Sequence, residues 1–97
     1  MTEAIEAASV AASDVFEMDP KYLFRWEEPQ QSYVMLYPEG VIKLNETGAA
    51  ILQLCDGGHT TKDIISELNE KYTSDVSDSV NNFLEVSHAK GWIRIKP

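Results

Sequence analysis

The sequence predicts an α+β fold, a winged-helix-like domain in which a three-stranded antiparallel sheet is followed by three helices. Two patterns support this order of elements. Aromatic and β-branched residues fill much of residues 22–44 and are interrupted by turn-forming residues, as expected for short strands. From residue 45 onward, apolar residues instead recur at steps of three and four, which is typical of helices packed on a core.

The predicted strands form a meander, because each is joined to the next by a short connection. Residues 22–26 and 32–37 are the first two strands, and a polar segment separates them. The turn at 37–40 has proline in its second and glycine in its fourth position, as in a type I turn. Residues 41–44 then make a short third strand, and residues 92–95 are a further strand at the end of the chain.

Each predicted helix has start and stop signals. Asn45 is a good N-cap for the first helix, and Asp56-Gly57-Gly58 ends it. Residues 60–63 are a capping-box-like start for the second helix. Ser74 or Asp75 caps the third helix, which Gly91 ends. The first two helices and the turn between them resemble a helix-turn-helix pair.

Residues 1–19 are predicted to be an acidic, flexible N-terminal arm, so that the folded domain spans residues 20–97. The arm contains five acidic residues and no lysine or arginine, and its apolar residues are too scattered to make a stripe. It therefore supplies most of the formal net charge of -8. On this interpretation, deleting residues 1–18 leaves the domain folded.

The charge distribution argues against a nucleic-acid partner. Eight basic residues are spread singly along the chain, and binding phosphates requires clustered cations. No apolar run approaches the roughly 20 residues needed to span a bilayer. The acidic N-terminus lacks the basic start of a signal peptide, and the single cysteine fits a reducing compartment. We therefore expect a cytoplasmic protein that binds neither nucleic acid nor membrane.

Chemically reactive residues are few and do not assemble into a recognisable site. Cys55 ends the apolar stripe of the first helix and is interpreted as a small buried hydrophobe. His59 and His88 lie on different elements and fit no metal-binding spacing. Gly57 and Gly58 are not followed by the Lys-Ser/Thr of a phosphate loop. We expect no catalytic residue, no metal and no cofactor.

A protein without catalytic residues offers its surface for binding. The third predicted strand has one side free, and a free edge accepts an extended peptide as an added strand. Just off the core stripe of the third helix lie Ser79, Asn82, Val86 and Lys90. Val86 has two interpretations, since it either belongs to this exposed shoulder or merely widens the buried face.

A family resemblance rests on one continuous block and several later matches. The block is LYPEGVIKLNETGAAIL at residues 36–52, continued by Leu54-Cys55-Asp56-Gly57. The later matches are Thr60, Asp63-Ile64-Ile65, Phe83-Leu84 and Lys90-Gly91-Trp92-Ile93. Together they resemble the PqqD family of pyrroloquinoline quinone (PQQ) biosynthesis over roughly residues 20–95. The stretch 37–57 is specific, whereas the helical pattern after it is more generic, and the acidic arm falls outside.

The resemblance implies a RiPP recognition element, a three-stranded sheet packed on three helices without a cofactor of its own. Such a domain binds the precursor peptide PqqA and presents it to the radical SAM enzyme PqqE. In related recognition elements, the leader peptide adds beside the third strand, in a groove against the third helix. On this chain the strand side of that groove is Val41, Ile42, Lys43 and Leu44. The helix side is Ser79, Asn82, Phe83, Val86 and Lys90.

These helix positions follow from helical spacing and are not family motif positions, and Phe83 has the alternative of a purely core role. Two other functions stay open. The predicted fold permits a winged-helix DNA-binding regulator, although the chain is acidic. A small enzyme or redox protein built around Cys55 is the third alternative, and the accessibility of its thiol distinguishes it.

Overall fold

A computed structural model describes residues 10–96, and residues 1–9 of the predicted arm lie outside the described part. The chain is an α+β protein with three helices and antiparallel sheets, in agreement with the predicted class. The strands are β1 (Val15–Met18), β2 (Leu23–Glu27), β3 (Ser32–Tyr37), β4 (Gly40–Lys43), β5 (Asp56–Thr60) and β6 (Ile93–Ile95). The helices are α1 (Glu46–Gln53), α2 (Thr61–Tyr72) and α3 (Ser77–Ala89).

The predicted meander is present as one sheet with the order β2-β3-β4. A two-residue turn joins β3 to β4, and it pairs Tyr37 with Gly40. A second three-stranded sheet has the order β5-β1-β6 and was not expected from the sequence. The expected single sheet is therefore wrong, and the likeness to a winged helix is not confirmed.

Strand β1 corrects the predicted boundary of the N-terminal arm. Val15–Met18 is the central strand of the second sheet, paired on one side with β5 and on the other with β6. Phe16 is fully buried, and its ring meets the His88 ring edge-to-face at 5.9 Å between centroids. Glu17 accepts a hydrogen bond from Arg94 Nε at 2.8 Å across the β1–β6 pair. Residues 15–18 therefore belong to the folded domain and not to a flexible arm.

Strand β5 corrects the predicted helix-turn-helix pair. Helix α1 ends at Gln53, and Asp56-Gly57-Gly58, expected to be only a helix stop, begins a strand. Gly57 adopts a φ of +81°, a conformation that suits glycine. The strand pairs with β1, where Val15 lies opposite Thr60. A sheet strand thus separates α1 from α2, and the predicted helix-turn-helix pair is not formed.

Two of the three predicted helix starts are confirmed. The Asn45 side chain accepts a hydrogen bond from the Gly48 N–H at 2.7 Å. Thr60 and Asp63 form a reciprocal capping box, in which each side chain accepts from the other residue's N–H at 3.0 Å. The N-cap of α3 is Val76 and not the predicted Ser74 or Asp75, although Asp75 Oδ1 accepts a hydrogen bond from the Ser77 N–H at 2.9 Å.

The hydrophobic core joins both sheets and all three helices. Its buried residues come from β1, β3 and β6, from every helix, and from the two connections on either side of α1. They are Phe16, Met35, Leu44, Ala49, Ala50, Ile51, Leu52, Cys55, Ile64, Leu68, Val80, Leu84 and Ile93. Leu44, directly after β4, and the buried apolar residues of α3 belong to this core. The strand part and the helix part of the predicted binding surface therefore pack on the same hydrophobic core.

Candidate peptide-binding surface

Strand β4 is an edge strand within the described residues 10–96. It pairs with β3 on one side, and the sheet order places no strand on its other side. The Leu44 N–H donates to the Tyr33 carbonyl at 3.0 Å and continues this pairing past the end of the strand. The opposite side of β4 therefore presents backbone groups that its own sheet does not use.

The register of the β3–β4 pair identifies which backbone groups point outward. In an antiparallel pair, hydrogen-bonded and non-hydrogen-bonded residue pairs alternate along the strands. Leu44 is bonded to Tyr33, so Ile42 opposite Met35 is also a bonded pair. The N–H and C=O groups of Val41 and Lys43 consequently point away from β3. Two donors and two acceptors thus line the free edge.

Side chains of β4, and of Leu44 directly after it, alternate between the core and the solvent. Leu44 is buried and Ile42 half-buried, whereas Val41 is 58% exposed and Lys43 is also exposed. Val41 lies opposite Leu36, which in turn lies opposite Leu23. These three residues form an apolar row across the outer face of the sheet. The free edge is therefore bordered by apolar surface, an arrangement suited to an apolar partner side chain.

The predicted helix positions lie on one face of α3, and most are exposed. Ser79, Asn82 and Lys90 are exposed, and Val86 is 42% exposed. The interpretation of Val86 as a residue that widens the buried face is therefore wrong. Phe83 is half-buried and packs against the core, so it is a supporting residue with a partly accessible ring.

Phe83 packs the α3 face against the start of α1. A Cβ added at Gly48 would lie 2.9 Å from Phe83 Cε1, so the ring packs directly on the backbone at the start of α1. Only two residues, Leu44 and Asn45, separate the end of β4 from the start of α1. On its other side, the Phe83 ring lies 6.4 Å from the Trp92 ring, measured between centroids. Gly48 is thus the small residue that permits this close approach.

The charges of the predicted surface are of one sign. Its nine residues include Lys43 and Lys90 and no acidic residue, although the whole chain has a net charge of -8. Lys90 Nζ lies 5.8 Å above the centroid of the Trp92 ring, which keeps the cation beside the helix face. Both charged residues among the nine are therefore cations.

Cys55 is unsuited to nucleophilic chemistry. It is buried, and burial raises the pKa of its thiol to about 12, with a further contribution from the adjacent Asp56 carboxylate. A thiolate is the reactive species, so this cysteine stays protonated at neutral pH. This environment argues against the redox alternative.

His59 lies between two carboxylates at the junction of β5 and α2. Its Nδ1 is 2.9 Å from Asp56 Oδ1, and its Nε2 is 2.9 Å from Glu67 Oε2. The hydrogen bond to Asp56 is the main cause that raises the pKa of His59, and the same bond lowers the pKa of Asp56. Within residues 10–96, no three histidine, cysteine or acidic residues are placed to hold a metal ion.

Sequence reasoning missed a cavity on the other side of α1. It has a volume of about 460 Å³ and lies between the β2–β3 hairpin and α1, with Trp26, Tyr33 and Ala50 in its lining. Trp26 itself is 43% exposed. No local sequence signal gives the position of α1 over this hairpin, which depends on tertiary packing. Among the described helices, none is long and apolar enough to span a membrane.

Comparisons with known proteins agree on one family. Residues 32–93 match the family model described as coenzyme PQQ synthesis protein D (PqqD). A "PqqA binding protein" of Methylococcus capsulatus (strain Bath) is 47% identical over 87 residues, covering 89% of this chain and 94% of that protein. One from Klebsiella pneumoniae (strain 342) is 47% identical over 74 residues, covering 74% of this chain and 80% of that protein.

A solved structure extends the similarity to the fold. The solution NMR structure of the PqqD truncation of Methylobacterium extorquens PqqCD superimposes with a TM-score of 0.72 at 25% sequence identity. The match covers 92% of this chain and 98% of that chain. That protein is described as a functional, stand-alone RiPP recognition element.

Proposed function

Because the chain belongs to the coenzyme PQQ synthesis protein D (PqqD) family, we propose that it binds the precursor peptide PqqA by adding it as a strand to β4. In this proposal the bound peptide is then presented to the radical SAM enzyme PqqE. The names of the relatives support the peptide ligand, since they are called PqqA binding proteins. The protein acts as an adaptor, and the chemistry belongs to the enzyme.

The observation that carries this proposal is the outward direction of the Val41 and Lys43 backbone groups. An added strand requires donors and acceptors at alternate residues along an edge, and β4 supplies them at these two positions. The main chain provides affinity for any extended peptide. Selectivity then comes from side chains beside the edge, of which Val41 and Val86 offer apolar contact.

Charge favours an acidic peptide in this groove. Lys43 flanks the strand side and Lys90 flanks the helix side, and no predicted contact residue is acidic. Opposite charges speed the encounter and fix the register of a bound chain more than they add affinity. We therefore expect the association rate of the peptide to fall as the salt concentration rises.

The strand-addition proposal is tested by replacing one outward N–H. Val41→Pro removes a donor at the free edge, where proline is tolerated because that N–H is not used by the sheet. Its matched control is Val41→Ala, which also shortens the side chain but keeps the N–H. We expect Val41→Pro to weaken PqqA binding by about tenfold or more relative to Val41→Ala, a difference of about 1.4 kcal/mol. Isothermal titration calorimetry with the synthetic peptide measures both affinities.

The contrary result is equally clear. If a folded Val41→Pro variant binds the peptide as tightly as Val41→Ala does, strand addition at this edge is wrong. Circular dichroism of both variants establishes that they are folded before the comparison is made.

A further inference from the structure

Trp92 lies beside the helix side of the predicted peptide surface, although it is not one of the nine predicted residues. It is half-buried and belongs to the connection between α3 and β6. The centroid of its ring is 6.4 Å from the centroid of the Phe83 ring and 5.8 Å from Lys90 Nζ. Both of these neighbours belong to the predicted surface. Trp92 therefore extends the helix side of that surface with an aromatic ring.

Hydrogen bonds of the main chain fix the position of Trp92. The chain turns at residues 90 and 91, directly after α3. The Trp92 N–H donates to the Ser87 carbonyl at 3.0 Å, and the Trp92 carbonyl accepts from the Asp19 N–H at 2.9 Å. The next residue, Ile93, is buried and begins β6. Because the backbone is held on both sides, the Trp92 ring is kept against α3.

Lys90 shares one side of α3 with Val86. The Lys90 N–H donates to the Val86 carbonyl at 3.0 Å, so the two residues are one helical turn apart. Both side chains are exposed. An exposed lysine ordinarily samples many conformations and loses this freedom when it forms an ion pair. The attraction between the ammonium and the Trp92 ring reduces this freedom before any partner binds.

The Lys90 ammonium forms no ion pair within residues 10–96. The ion pairs of this part of the chain have Arg25, His59 and Arg94 as their basic partners. A lysine ammonium is a hydrogen-bond donor that binds anions, and the anionic groups of a peptide are carboxylates. An acidic side chain of a bound peptide is therefore the ligand that matches Lys90.

We propose that Lys90 and Trp92 form a carboxylate-binding site for one acidic side chain of the peptide that lies beside β4 and α3. Lys90 Nζ donates hydrogen bonds to the carboxylate, and Trp92 is the positioning residue that holds Nζ in place. This inference rests on the proposed function, since it assigns a ligand group to the same surface.

The carboxylate-binding site supplies a property that strand addition alone lacks. Main-chain hydrogen bonds repeat at every second residue, so a peptide moved by two residues along β4 forms the same kind of bonds. A carboxylate bound at Lys90 favours one of these registers, because the other registers place a different side chain there. Lys90 and Trp92 thus determine which part of the peptide lies on β4.

The first test removes the charge of Lys90. Lys90→Met keeps a long unbranched side chain without the ammonium, and the matched control Lys62→Met removes the same charge from an exposed position of α2. We expect Lys90→Met to weaken PqqA binding by about fivefold and Lys62→Met to change it by less than about twofold. Isothermal titration calorimetry with the full-length chain measures both affinities. Equal affinities of the two folded variants would overturn the carboxylate-binding site.

A double-mutant cycle tests the positioning role of Trp92. Trp92→Leu keeps an apolar side chain but removes the ring, whereas Trp92→Phe keeps an aromatic face. We expect Lys90→Met to weaken PqqA binding by less than about twofold in the folded Trp92→Leu background, and by about threefold or more in the Trp92→Phe background. A purely structural role of Trp92 predicts the same effect of Lys90→Met in every background, and that result contradicts the positioning role.

A modified peptide identifies the ligand group. In this version of PqqA, each aspartate and glutamate is replaced by asparagine or glutamine, and the C-terminus is amidated. We expect the wild-type chain and Lys90→Met to bind it with affinities within about twofold of each other, because no carboxylate is left to bind. A difference of about fivefold that persists with this peptide shows that Lys90 does not act on a carboxylate.

These measurements separate the carboxylate-binding site from the proposed function. If Val41→Pro weakens PqqA binding but Lys90→Met does not, strand addition stands and the carboxylate-binding site is wrong. If the wild-type chain does not bind PqqA, the proposed function fails and the carboxylate-binding site fails with it.

Discussion

The two sheets of this protein differ in how far apart their strands lie in the chain. The β2-β3-β4 sheet is a meander within residues 23–43, whereas the β5-β1-β6 sheet collects segments from near both ends and the middle. Within residues 10–96 the first sheet leaves β4 with a free edge, and the second buries Phe16 and Ile93 in the core. The proposed function places peptide binding on the sheet β2-β3-β4, and the burial of Phe16 and Ile93 gives the sheet β5-β1-β6 a structural role.

The largest expected effect is that of a substitution in the β5-β1-β6 sheet, which tests the structural role of that sheet. Phe16→Ala removes a fully buried ring from β1 and leaves a cavity, so we expect a loss of about 3–5 kcal/mol in the free energy of unfolding. Its control is Leu23→Ala on β2 of the β2-β3-β4 sheet, where the side chain is 63% exposed and the expected change is about 0.5 kcal/mol or less.

Urea denaturation followed by circular dichroism gives both values. A loss below about 1 kcal/mol for Phe16→Ala would mean that β1 is dispensable and that the flexible arm extends to residue 19 after all.

The difference between the sheets also explains which parts of the fold were predictable. Asn45 and the Thr60–Asp63 capping box are local signals, and both were identified correctly because their partners lie three residues away. Strand β1 was missed because its partners lie in β5 and β6, and one apolar residue such as Phe16 makes no local pattern. The glycines of β5 were interpreted as a helix stop for the same reason.

In the candidate site, too, features that depend on neighbouring residues were predictable and features that depend on tertiary packing were not. The edge position of β4 was predictable, since a meander of three consecutive strands leaves its last strand at the edge. The exposure of Val86 was not predictable, because helical spacing alone left this residue at the border of the buried face. The cavity between the β2–β3 hairpin and α1 was missed entirely, since it depends on how a helix packs over a hairpin.

A smaller effect is expected for a substitution on α3, which tests whether the exposed face of this helix contacts the peptide. Val86→Asp replaces an exposed apolar contact with a negative charge, so we expect PqqA binding to weaken by about tenfold while the fold is kept. The control Ser66→Asp adds the same charge to an exposed position of α2. Calorimetric titration compares the two variants, and equal affinities would remove the α3 face from the binding surface.

The smallest effect concerns the end of β5, in the β5-β1-β6 sheet. The raised pKa of His59 means that its protonated form is favoured in the folded state. The resulting stabilisation is present below the ordinary imidazole value of 6.5 and is lost as the pH rises through the raised value. Asp56 has the opposite pH dependence. Because its pKa is lowered, it contributes stability that is present above the ordinary aspartate pKa of 3.8 and is lost on acidification.

The variant His59→Gln measures how much protonated His59 contributes to the free energy of unfolding. We expect the wild-type chain to be more stable than the variant at pH 6 by less than about 1 kcal/mol, because Asp56 and Glu67 are half exposed and screened by solvent. The difference should shrink towards pH 9. Thermal unfolding at both pH values measures it, and a difference that grows with pH would contradict the assignment.

The most direct test of the central claim is amide hydrogen exchange of β4, measured by NMR with and without PqqA. The N–H groups of Val41 and Lys43 point away from β3 and should exchange rapidly in the free protein, whereas the Ile42 N–H is already bonded within the sheet. Strand addition predicts that PqqA slows exchange at Val41 and Lys43 and leaves Ile42 little changed. Bound peptide that slows neither residue, or that instead protects the β2 edge at Leu23–Glu27, would contradict the claim.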